Sequence, residues 1–101
     1  MAILHTVNKS PFDKNSLERA IGCAKDGSAV LLIEDGVYGA LKGAASSSMV
    51  EGAMKSVKVY ALSEDLNARG INDRVIDGIE LVDYAGFVKL AADHSQVQSW
   101  L

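Results

Sequence analysis

The chain has 101 residues, a formal net charge of -3, 49% hydrophobic residues and a single cysteine. That length fits one domain over residues 1–101, and the acidic balance without any Lys/Arg stripe argues against nucleic acid as a direct partner. No run approaches the roughly 18 apolar residues of a membrane span, and a lone cysteine cannot close an internal disulfide.

The mean hydropathy of +0.12 is high for a small soluble monomer and points to a subunit interface. The opening Met1-Ala2-Ile3-Leu4-His5 has no basic n-region and too short an apolar run for a signal peptide. A cytoplasmic protein with a reduced thiol is therefore expected.

Along the chain, Ala2–Val7 is a short apolar run with β-branched residues and predicts a strand. Ser10 before Pro11 makes an N-cap and N1 pair, and Asn15 with Glu18 offers a second cap one turn on. Leu17, Ala20, Ile21 and Ala24 recur at helical spacing, so a helix is predicted to about Lys25, ended by Asp26-Gly27. Ala29–Ile33 is continuously apolar, as in an interior strand of a parallel sheet. Val37 to about Ala45 reads as a second helix, Ser46-Ser47-Ser48 as a break, and Met49–Lys55 as a short resumption.

Val57–Leu62 alternates and predicts a third strand; Ser63 caps a short helix over Glu64–Ala68, stopped by Gly70. Val75-Ile76 is a candidate brief strand and Ile79–Val82 a further one. Asp83 N-caps a last helix in which Phe87, Val88, Leu90 and Ala91 pack inward; a polar stretch and Trp100-Leu101 follow. Strands alternating with helices at this spacing predict α/β architecture: a small three-layer domain with a mostly parallel sheet of about five strands.

In such folds sites form at the carboxyl ends of the strands. Those tips are Val7-Asn8-Lys9, Glu34-Asp35-Gly36, Ser63-Glu64-Asp65 and Asp83, acidic and without a glycine-rich phosphate loop, so no nucleotide or flavin cofactor is expected. Asp35 and Ser63 read as helix caps. His5, on the face shared by Ile3 and Val7, reads as a hydrogen-bonded core residue, and His94 as a cation complementing a helix end. No second His or Cys stands at ligand spacing, so no metal site is expected.

Cys23 leaves two readings open. It falls roughly 110° from the centre of the apolar stripe, at its edge, with Arg19 one turn before it. One cation favours a thiolate, but the carbonyl end of a helix disfavours it, and neither a Cys-X-X-Cys pair nor an evident His base accompanies it. The small residues from Gly39 to Met54 serve close packing either on the chain's own sheet or on another subunit. Trp100 suits an interface.

Several ordered segments carry a resemblance: Leu4-His5-Thr6 with Ser10-Pro11-Phe12, Leu31 through Val37, Val57 through Leu66 with Ala68-Arg69-Gly70, and Asp83-Tyr84 with Phe87-Val88-Lys89-Leu90 and Trp100. Over nearly the whole chain this set resembles the DsrH/TusB family of sulfur-relay subunits. The resemblance implies a hetero-hexamer with two related small α/β subunits, DsrE-like and DsrF-like, that passes persulfide sulfur. The principal sulfur-carrying cysteine would lie on another subunit.

In the DsrEFH branch the implied role is dissimilatory sulfur oxidation with a DsrC-like carrier. In the TusBCD branch it is delivery of sulfur to 2-thiouridine in tRNA. DsrH-type chains carry a cysteine in the first helix and TusB-type chains typically lack it, so Cys23 implies the DsrH branch and an auxiliary persulfide acceptor. The alternatives are the tRNA relay, or a structural subunit in which Cys23 is inert.

Overall fold

Five strands pair in one all-parallel sheet in the computed structural model, which describes residues 3–25 and 27–101. They are β1 (Ile3–Val7), β2 (Ala29–Leu32), β3 (Lys58–Leu62), β4 (Glu80–Val82) and β5 (Gln96–Trp100), in the spatial order β4-β3-β2-β1-β5. This is the α/β architecture expected from the sequence. β2 is buried at every position because both of its faces are covered, which is why its sequence is an unbroken apolar run. The expected strand start at Ala2 and the helix stop at Asp26 lie outside the described residues.

The helices are α1 (Ser16–Cys23), a 3-10 segment (Glu34–Ala40), α2 (Ser47–Ala53), α3 (Ser63–Ala68) and α4 (Tyr84–Asp93). The connections from β1 to β4 all step in one direction, and the connection to β5 returns to the free side of β1. Right-handed crossovers place helices on one face while the steps run one way and on the other face when they reverse. Accordingly α1, α2 and α3 cover a core of Val7, Leu17, Val30, Leu32, Val50, Val59 and Leu66. On the other face Phe87, Leu90 and Ala91 of α4 pack over Leu4, Leu31 and Tyr60.

The structure departs from the sequence expectations in several places. Ser10 caps a single turn, its Oγ accepting from Phe12 N, and α1 begins only at Ser16. The second helix is a 3-10 segment that ends at Ala40, and Gly43 adopts φ +68, outside the right-handed helical region. The serine cluster starts α2 rather than interrupting a helix. Ser47 Oγ accepts from Ala44 N at 2.8 Å and donates to the Leu41 carbonyl at 2.6 Å. Val75 makes only an isolated antiparallel bridge to Leu41. Val88 points outward, 69% exposed, so only part of α4's expected apolar face is used.

The largest departure is β5: the polar tail is an edge strand pairing with β1 along five residues. Its sequence hid it because four of its five residues are exposed.

Asp83 is the N-cap that its position predicts, its Oδ1 accepting from Gly86 N at 2.8 Å. Replacing it with alanine is expected to lower stability by about 1 kcal/mol. A urea midpoint unchanged by Asp83→Ala would contradict this role.

Candidate functional site

Cys23 is the last residue of α1 and its side chain is exposed. Because α1 runs back from the carboxyl end of β1 to the start of β2, its last turn lies at the amino-end rim of the sheet. Cys23 therefore sits at the end opposite the strand tips where sites of this fold class ordinarily form. An open depression of about 350 Å³ at the amino end is lined by Ser28, Met54, Lys55, Lys58, Tyr60 and His94; Cys23 does not line it. Among the described residues no group of three or more His, Cys, Asp or Glu is placed to hold a metal ion. No helix among them is long and apolar enough to cross a membrane.

Arg19, expected beside the thiol, instead stacks over the Trp100 ring, its guanidinium carbon 5.6 Å from the ring centroid. Trp100 in turn donates its Nε1–H to Nδ1 of His5 at 3.1 Å. The parallel register explains the meeting: Val7 faces Trp100 and His5 faces Gln98, so His5 and Trp100 project from the same face toward α1. His5 is the buried, hydrogen-bonded core histidine its position predicts, and burial lowers its pKa below the ordinary histidine value. Its Nε2 is buried without a partner. Trp100 packs against the chain's own core and stays partly exposed.

The carboxyl ends of β2 and β3 carry an ionic network that the sequence reading missed. Arg69 reaches Asp35 Oδ1 from both Nε (3.0 Å) and Nη2 (2.8 Å), and its Nη1 donates to the Asp65 carbonyl at 3.1 Å. The hydrogen bond to Asp35 is the main cause that raises the guanidinium pKa further. Asp65 Oδ2 accepts from the backbone N–H of Glu34 at 2.7 Å, holding Glu34 at φ 49, a left-handed conformation unusual for a glutamate. Glu64 accepts from Tyr84 N at 3.2 Å, joining α3 to α4.

Thus Asp35 and Ser63 do not act as the expected side-chain caps. The flanking caps Ile33 and Leu62 are extended apolar residues, Asp35 binds Arg69, and Ser63 Oγ donates to Glu64. The acidic tips were visible in the sequence; the cation that binds them comes from the far end of α3. His94 Nδ1 lies 2.7 Å from the Leu90 carbonyl, at the helix end expected for it.

The small-residue segment packs within the chain at its first residue, Gly39, as does Gly36 just before it. A Cβ on Gly36 would sit 2.8 Å from the carbonyl carbon of Val7 and closer still to its oxygen, and one on Gly39 would meet Leu17 Cδ2 at 2.7 Å. Close approach of the 3-10 segment to the β1 backbone thus requires Gly36, whereas at Gly39 the neighbour is the end of the Leu17 side chain.

The fold is that of small α/β proteins with an all-parallel sheet. The YchN protein of Escherichia coli superimposes with a TM-score of 0.85 over 98% of both chains, at 19% identity. The family description "DsrH like protein" matches residues 9–97. Protein TusB of Enterobacter sp. (strain 638) is 39% identical over 100 residues, covering 97% of this chain and all of that one. Protein TusB of Escherichia coli O81 (strain ED1a) is 38% identical over the same coverage. The chain belongs to the DsrH/TusB family of sulfur-relay proteins.

Proposed function

We propose that this protein is a TusB-type subunit of a cytoplasmic persulfide relay that delivers sulfur toward 2-thiouridine in tRNA, assembled with two related small α/β subunits. The observation that carries this reading is the full-length similarity to TusB proteins at 38–39% identity. It favours the tRNA branch over sulfur oxidation with a DsrC-like carrier, for which Cys23 is the one supporting feature.

Cys23 is assigned an auxiliary role as sulfur acceptor. Its exposure lets a partner's persulfide reach it, and its place at the carbonyl end of α1 suits a secondary rather than a principal nucleophile. The step is attack of the Cys23 thiolate on the terminal sulfur of a persulfide R–S–SH. A new S–S bond forms on Cys23, the S–S bond of the donor persulfide breaks, and R–S⁻ leaves with the electron pair, giving Cys23–S–SH.

Deleting the gene is expected to deplete 2-thiouridine in tRNA, measured by mass spectrometry of tRNA nucleosides, and returning the gene restores it. Normal thiouridine in the deletion strain refutes the relay assignment. Separately, the purified protein treated with a persulfide donor is expected to gain the mass of one sulfur atom. No gain, or a gain that persists in Cys23→Ala, refutes the acceptor role.

A further inference from the structure

We propose that His5 and Trp100 form an acid-sensitive latch that holds β5 on the sheet and releases it when the imidazole takes up a second ring proton. An indole Nε1–H can only donate, so the 3.1 Å contact requires His5 Nδ1 to be the acceptor, with the single ring proton on Nε2. In the imidazolium both ring nitrogens carry protons. Nδ1–H would then point at Nε1–H, and the contact changes from a hydrogen bond to a clash of two donors.

The surroundings offer the new charge no compensation. From α1, Arg19 already places a cation over the Trp100 ring. The registered neighbours of His5 are Val30 on β2 and Gln98 on β5, neither of which ionises. Glu18 and Cys23, the other ionisable groups of α1, are exposed. Nε2 is buried without a partner, so the imidazolium would hold two unsatisfied donors.

β5 is the element this would free. It lies at the sheet edge, and Trp100 is its only residue that is not exposed. Among the described residues the further side-chain ties of β5 and Leu101 to the body are Arg19 over the Trp100 ring, a 3.3 Å bond between Thr6 and Ser99 and a 3.2 Å bond from Ser16 Oγ to the Leu101 carbonyl, beside the backbone pairing with β1. Release would turn the edge of β1 into an open row of backbone donors and acceptors, the surface to which another strand can add.

The sign follows from linkage. His5 binds its proton less readily in the native fold than in the open chain, because burial lowers its pKa. The latch is complete above the ordinary histidine value of about 6.5 and weakens as pH falls from there through the lowered native value.

Trp100 is the only tryptophan, so its fluorescence reports on the latch directly. Titrating the intact protein from about pH 7.5 to about pH 5, across the histidine range, is expected to red-shift the emission while far-UV circular dichroism holds. Over the same range the amide protection factors of residues 97–100 are expected to fall relative to those of Ala29–Leu32. His94→Asn keeps the transition. His5→Gln, whose amide oxygen accepts the indole N–H at every pH, loses it.

An emission unchanged across the titration overturns the latch, as does a red shift retained by His5→Gln or a shift that coincides with loss of helix. If His5→Gln does not fold, the wild-type protection factors decide: equal loss in β2 and β5, or loss in neither, overturns it.

Discussion

Gly36→Ala is expected to destabilise the protein by at least about 3 kcal/mol, the upper end of ordinary overpacking, because the added methyl meets backbone and not a movable side chain. The atom in the way is the Val7 carbonyl oxygen, which also accepts from Ile33 N at 3.0 Å at the end of the β1–β2 pairing. Moving it disturbs the centre of the sheet. Against a total stability of about 5–15 kcal/mol, such a loss shows as a much lower urea midpoint.

Gly52 in α2 provides the contrast. Nothing lies within 4 Å of a Cβ there, so Gly52→Ala is expected to stabilise by about 0.5–1 kcal/mol. Equal midpoints for the two variants would show that the 3-10 segment does not approach β1 as described.

Trp100→Ala is expected to cost about 3 kcal/mol, the low end for a large aromatic because the ring is only partly buried. It removes the packing on α1, leaves Arg19 without its aromatic partner and leaves His5 Nδ1 without a donor. Trp100→Phe separates these contributions. It keeps a ring but loses the N–H, and is expected to cost about 1 kcal/mol for the lost hydrogen bond and the smaller surface. Urea unfolding followed by circular dichroism measures both. A cost below about 1 kcal/mol for Trp100→Ala would mean that β5 contributes little to the fold.

The parts of the fold that were legible in the sequence are those whose environment is the same on every side. Ala29–Leu32 is interior, so an apolar run announces it directly, and Lys58–Leu62 shows in the alternation of its sequence. Leu17 and Ala20 mark the buried face of α1 by period alone, and Asp83 marks its helix by a local capping bond. β5 was not legible, because an edge strand with four exposed residues has the composition of a tail. The 3-10 segment was misread as a helix because Val37 and Ala40 recur at the spacing a helix also uses.

For the candidate site, Cys23 was correctly placed off the core by its position on the helical wheel, and its exposure follows from that. The partnership assumed for Arg19 was not. A residue one turn away on a helix is only one of its possible neighbours, and here Trp100, some eighty positions along the chain, takes the guanidinium. The same limit applies to Arg69, whose carboxylate partner Asp35 is thirty-four residues away, in the 3-10 segment that follows β2.

By itself the sequence determined the α/β class, the three interior strands, the final helix cap and, through ordered motif segments, the family. These depend on local period, composition and capping, which are written into consecutive residues. Only the tertiary structure decided that the tail is a strand, that His5, Trp100 and Arg19 meet, and that Glu34 is held in a left-handed conformation by Asp65. Each of these rests on contacts between residues far apart in the chain, and such contacts exist only once right-handed crossovers have set the strand order.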